Sequence, residues 1–183
     1  MKTYLNKLRI PITLAVLISG LAWIWFSRIP EGTRSDTMEA AQVGFSAPDF
    51  VLTSLGDQKI GLDDFKGKPV ILNFWASWCP PCKAEMPAFQ QASREFLDTD
   101  LQIIAINATS QDSITEVRQF IEQNEITFPI PMDQTGSTSN DYLVHSLPTT
   151  YFIDRKGVIV DLIIGGPIPL SLLRIQANQL LTD

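Results

Sequence analysis

Two cysteines and one histidine are all the thiolate and imidazole ligands that the 183 residues offer a metal ion. A structural zinc site takes four such ligands, usually a second Cys-x-x-Cys or a histidine pair, so that scarcity excludes one. Basic residues are also short: 14 Lys and Arg stand against 20 Asp and Glu, a net charge of −6. No basic patch exists to neutralise phosphates, which removes nucleic acid from the partners. The acid excess reads as ordinary solubility. No motif requires a cofactor or a metal, and none is expected.

One long charge-free run stands apart. Ile10 to Phe26 spans 17 residues without a charge, preceded by Lys2, Lys7 and Arg9. As a helix it would reach about 25 Å, the short end of what crosses a bilayer. Trp23, Trp25 and Phe26 cluster at its far end, where aromatic rings favour the membrane interface, and Arg28 follows. A cleaved signal peptide is the rival, with Gly20-Leu21-Ala22 as its small-x-small site. Cutting there would leave Trp-Ile-Trp-Phe as the new terminus, and the run exceeds the usual signal-peptide core. Residues 1–27 are therefore expected to be an uncleaved transmembrane anchor, with the basic residues inside and the domain outside. Residues 28–43 read as a flexible tether that mixes Pro30, Gly32, Ser35 and charges of both signs. Residues 44–183 form the domain.

The only two cysteines lie at Cys-x-x-Cys spacing in Trp78-Cys79-Pro80-Pro81-Cys82. They directly follow the apolar run Val70 to Trp75, so the dithiol sits where a strand gives way to a helix. A helix start presents unsatisfied N–H groups and the positive end of the backbone dipole, and both favour thiolate over thiol. Pro80 and Pro81 suit the first helical turn, where a missing N–H costs nothing. Cys79 can attack a disulfide, and Cys82 is close enough to resolve the mixed disulfide that results. A purely structural bridge is the bland alternative, but so short a loop removes little unfolded-state entropy.

The rest of the domain reads as strands and helices around this motif. Phe50–Thr53 and Lys59–Leu62 suggest a hairpin through Gly56-Asp57. Val70–Trp75 and Leu101–Asn107 are strands buried on both faces. A helix runs from Pro80 to about Leu97 with Pro87 inside it, and another follows Asp112 or Ser113 as cap. Phe128–Ile130 is a short extended piece, and Ser139–Val144 a short helix. Thr149–Ile153 and Val158–Ile164 pair through Arg155-Lys156-Gly157, and an amphipathic helix covers Leu170–Leu181. The order implies an α/β fold with a mixed central sheet covered by helices on both faces.

Three separated segments carry a family resemblance over about residues 44–183. Asn73 to Pro87, with Trp-Cys-Pro-Pro-Cys-Lys at its centre, resembles the active-site segment of thioredoxin-like proteins. Gly44 to Phe50 and Leu147 to Asp154 resemble the domain opening and proline loop of their membrane-anchored extracytoplasmic branch, the ResA/TlpA-type thiol-disulfide oxidoreductases. The resemblance implies a thioredoxin-like fold and a protein dithiol-disulfide oxidoreductase on the extracytoplasmic side of a bacterial cell membrane. It implies that Cys79 attacks and Cys82 resolves. Pro148 resembles the cis-proline beside the dithiol, which leaves the neighbouring backbone free to pair with an extended substrate, and Trp78 the aromatic residue beside the attacking sulfur. The implied partners are exported proteins with disulfides, apocytochrome c among them, and an upstream membrane electron donor.

Two departures bear on the chemistry. General thioredoxins carry a buried Asp beneath the cysteines where this chain has Asn73. Some anchored members supply a Glu after the second strand, where this chain has Asn107-Ala108-Thr109-Ser110-Gln111. Asp112, Glu116 and water are the candidates left to take the proton of Cys82. His145, three residues before Pro148, reads as a loop residue. A thiol peroxidase would place Thr or Ser three residues before its cysteine and Pro four further upstream; Ala76 and Leu72 stand there instead. Non-catalytic modules on this fold commonly lose a cysteine, and both are kept. A thiol oxidase or disulfide isomerase remains the alternative to a reductant, because direction depends on the reduction potential.

Overall fold

The computed structural model describes residues 39–182; the expected anchor (1–27) and most of the expected tether lie outside them. Among the described residues no helix is long and apolar enough to cross a membrane.

Strand β3 (Val70–Trp75) organises the domain because both of its faces are buried. Successive side chains of a strand point to opposite faces. Ile71 and Trp75 accordingly enter one cluster with Met86, Phe89, Ile103 and Leu173, and Val70, Leu72 and Phe74 enter another with Ile104, Ile106, Tyr142 and Tyr151. Burying each such side chain contributes about 1.5–3 kcal/mol, which makes β3 the strand least tolerant of interruption. Asn73 is its one polar residue, and it is fully buried on the Ile71–Trp75 face.

The other strands are β1 (Val51–Ser54), β2 (Lys59–Gly61), β4 (Gln102–Asn107), β5 (Pro131–Met132), β6 (Thr149–Ile153) and β7 (Ile159–Ile164). They form a mixed sheet in the order β2-β1-β5-β4-β3-β6-β7. β3 runs parallel to β4 and antiparallel to β6. Helices α1 (Pro80–Glu95), α2 (Ile114–Gln123) and α4 (Leu170–Thr182) supply the first cluster, while Tyr142, just past α3 (Ser137–Asp141), and Phe50 close the second.

Register decides where the chemistry lies. Trp75 pairs with Asn107, and Phe74 pairs with Thr149. The turn after β3, the loop after β4 and Pro148 at the start of β6 therefore share one end of the sheet.

Contacts with the domain already begin ahead of Gly44: Glu39 bridges Ser46, the Ala40 N–H donates to Ser46 O, and Ala41 is buried. Two expectations need correction. The short strand is Pro131–Met132 rather than Phe128–Ile130, because Met132 is the residue that meets both Thr53 and Asn107. The short helix starts at Ser137, two residues early, because the buried Asp133 carboxylate accepts the Gly136 and Ser139 N–H groups and fixes that turn.

Candidate active site

Cys79 is the N-cap of α1, with Pro80 and Pro81 in the first positions of the helix. Its Sγ accepts the Cys82 N–H at 3.3 Å, so one of the orphan donors of the helix start already points at this sulfur. Cys79 and Cys82 are joined as a disulfide. Cys79 keeps 3% of its surface and Cys82 none, so an approaching sulfur meets Cys79 first.

The turn that presents Cys79 is clipped to the loop after β4. The Asp112 carboxylate accepts from the Ser77 N–H (2.6 Å), the Ser77 hydroxyl (2.5 Å) and Asn107 Nδ2 (2.8 Å). Asp112 is thus a clamp for the turn. Glu116, the other acid considered for the Cys82 proton, is exposed on α2. Trp78 is 52% exposed, and its indole N–H donates to Gln111 O at 2.8 Å, which holds the ring as a ridge beside the disulfide. A cavity of about 140 Å³ opens behind that ridge, walled by Trp78, Val144, His145 and Leu147. His145 lies in the loop before Pro148, as read from the sequence. The Leu147–Pro148 peptide bond is cis.

An acid that sequence reasoning passed over lies beneath the dithiol. Glu85 is 1% exposed and sits one helical turn after Cys82. Residues at i and i+3 share a helix face, with Cβ atoms roughly 5–6 Å apart. Glu85 Oε1 accepts from Asn73 Nδ2 at 2.9 Å, and Oε2 accepts from the Ile168 N–H at 2.9 Å. Burial pushes this carboxyl up to about 7, against the pull of those two hydrogen bonds in the other direction. A buried acid with its proton affinity near neutrality, on the face of the resolving cysteine, can accept and return a proton in the working pH range. The signal was present in the sequence: Cys82, Glu85, Met86 and Phe89 follow the i, i+3, i+4, i+7 spacing of a buried stripe, and one of them is a charge.

Glu85 and Pro148 meet at Gly166. A Cβ built there would stand 2.6 Å from Glu85 Oε2 and 2.6 Å from Pro148 Cγ. Gly166→Ala is expected to destabilise the fold by about 1–3 kcal/mol through overpacking. It should also displace the Glu85 carboxylate from the Ile168 N–H. Denaturant unfolding at several pH values reads both effects; a parental unfolding curve would show that the loop simply moves aside.

The comparisons agree with this geometry. A family model described as the AhpC/TSA family matches residues 43–162. The thioredoxin-like protein YneN of Bacillus subtilis is 42% identical over 162 residues, covering 88% of this chain and 91% of that one. The thiol-disulfide oxidoreductase ResA of Oceanobacillus iheyensis is 37% identical, covering 83% of this chain and 79% of that one. Among solved structures, a thiol:disulfide interchange protein DsbE from Chlorobium tepidum superposes with a TM-score of 0.70 at 30% identity, covering 76% of this chain and 98% of that one. StoA from Bacillus subtilis superposes with a TM-score of 0.63, also at 30% identity, covering 71% and 96%. The chain therefore belongs to the thioredoxin-like AhpC/TSA family and is a protein dithiol-disulfide oxidoreductase.

Proposed function

We propose that the enzyme reduces disulfides in exported proteins, with Cys79 attacking, Cys82 resolving and Glu85 taking the proton that resolution releases. The Cys79 thiolate attacks one sulfur of the substrate disulfide, and the other substrate sulfur leaves as thiolate. Cys82 then gives its proton to Glu85 and attacks Cys79 Sγ, which expels the second substrate thiolate and closes the Cys79–Cys82 disulfide. Two electrons pass from the dithiol to the substrate. Pro80 and Pro81 hold the helix start in shape, while Trp78 and Pro148 flank the bound substrate strand.

The observation that carries this reading is Glu85. A dithiol that gives up electrons must deprotonate Cys82 while the substrate is still attached, in a site closed to bulk water. The reducing direction rests on the likeness to ResA-type proteins, which also suggests apocytochrome c as a substrate. Regeneration then needs an upstream dithiol donor in the membrane. Redox titration of the full chain against glutathione or dithiothreitol tests the direction. A potential below roughly −220 mV is expected of a reductant, whereas one near −120 mV would make the protein an oxidase.

The same reading places the domain outside the cytoplasm, held by residues 1–27. Cell fractionation should find the protein with membranes, and protease added to intact spheroplasts should degrade the domain. A soluble, shortened chain beginning near Trp23 would replace the anchor by a cleaved signal peptide.

A further inference from the structure

Asn73 has an arrangement that simple packing does not explain. Its Nδ2 donates to Glu85 Oε1 and to Thr150 Oγ1, both at 2.9 Å. Its Oδ1 is buried and meets no donor. A buried acceptor left unpaired is destabilising, and this one stands in the middle of the central strand.

We propose that Asn73 is the positioning residue of the proton site: its amide turns so that it donates to the Glu85 carboxylate but accepts from the Glu85 carboxylic acid, and the Thr150 hydroxyl reverses its sense in step. The inference rests on Glu85 being the acceptor of the Cys82 proton.

When Glu85 is ionised, the arrangement described above satisfies Oε1. When Glu85 takes a proton at Oε1, that O–H faces the Asn73 N–H, donor against donor. A half-turn of the amide puts Oδ1 where Nδ2 stood, 2.9 Å from both partners. The acid O–H and the Thr150 hydroxyl, which is free to rotate, can then both donate to the two lone pairs of Oδ1. No heavy atom outside the amide has to move. The proton that left Cys82 Sγ now rides on Glu85, and no other bond changes. Each orientation leaves one polar atom of Asn73 without a partner: Oδ1 in one and Nδ2 in the other. Neither orientation satisfies the whole amide, which suits a site that must fill and empty once per cycle.

The surroundings leave this trio in control. Cys82 shares the Glu85 face of α1, Asn73 of β3 donates to the Glu85 carboxylate, and Thr150 of β6 accepts from the same Asn73 amide. The segment over it contributes the Gly166 backbone and the Ile168 N–H, beside the Pro148 ring. None of these carries a charge in the disulfide form, and Lys83, Arg94 and Glu95 of α1 are exposed. An aspartate at position 73 would instead set a second carboxyl against the first, and two such groups cannot both ionise.

Nuclear magnetic resonance of the isotope-labelled full chain in detergent tests the turn directly. The expected result is a proximity signal between the Asn73 Nδ2 protons and the Thr150 side chain that is present at high pH and lost at low pH. Its midpoint should coincide with the titration of the Glu85 carboxyl carbon. Glu85→Gln should abolish the signal at every pH, because the Gln oxygen is needed by Ile168 and its NH2 then requires Asn73 Oδ1. Asn73→Asp should move the pH midpoint of mixed-disulfide resolution up by about one unit or more. An Asn73 amide that keeps one orientation while Glu85 titrates would overturn the inference and leave Glu85 in its role. Resolution by Glu85→Gln at the parental rate would instead remove Glu85 as proton acceptor, and the inference with it.

Discussion

Cys82→Ser is expected to abolish turnover and to leave substrate covalently attached through Cys79, whereas Cys79→Ser should neither turn over nor trap. The asymmetry follows from the helix start. Cys79 is the cap, it receives the Cys82 N–H at 3.3 Å, and it is the only one of the pair that keeps any exposed surface. Cys82 lies within the first turn, fully buried, where desolvation favours the neutral thiol. With serine at position 82 the first exchange proceeds and the second has no nucleophile, so the mixed disulfide persists. Non-reducing gels of the full chain mixed with a disulfide-bonded protein count the trapped complex. Iodoacetamide reads the same asymmetry without a substrate. A thiolate held at a helix N-terminus should alkylate at least about ten-fold faster at pH 7 than a buried thiol. Faster modification of Cys82 would exchange the two roles.

How much of this was visible before folding can be traced residue by residue. The dithiol, its position between strand and helix, β3 and β6 were legible because each is a local pattern: a spacing, a continuous apolar run, a turn with glycine. The proline loop was legible through resemblance. Glu85 was not read, because an acid in the first half of a helix is ordinarily solvated, and what buries it arrives more than 80 residues later. The segment carrying Gly166 and Ile168 folds over the carboxylate, and only a residue without a side chain fits at 166. The sequence points instead to Asp112, Glu116 or water, and Asp112 lies in the loop after the second strand. There the local geometry wins: a carboxylate beside free N–H groups at the start of α2 is taken up by Ser77, Asn107 and Ser113. The start of α3 was misplaced for a similar reason, since the capping carboxylate of Asp133 belongs to the segment before it. Local pattern located the sulfurs, and long-range closure located their proton.

Glu85→Gln is expected to make the protein more stable and less active, with the stability gain confined to one side of the pH scale. Burial raises this carboxyl from its ordinary value of 4.5 to about 7 in the folded state. Below 4.5 it is protonated folded or unfolded, and it contributes no pH dependence. Between 4.5 and 7 the unfolded chain has released the proton and the folded chain still holds it, so stability falls as pH rises. Above 7 the full cost of a buried carboxylate is present, about 3 kcal/mol for a shift of this size. Glutamine resembles the protonated acid and never pays that cost, so unfolding free energies of parent and variant should agree near pH 4 and differ by about 3 kcal/mol near pH 8. Activity should move the opposite way. Without a carboxylate to take the Cys82 proton, resolution of the mixed disulfide should slow by roughly 10²-fold at neutral pH, the usual effect of losing a general base. Urea unfolding at the two pH values and single-turnover release of substrate thiol measure the pair of effects. A residue retained for packing alone would lose stability and activity together. Opposite signs in the two measurements would mean that the fold tolerates a destabilising acid beneath its dithiol because the chemistry there needs a base.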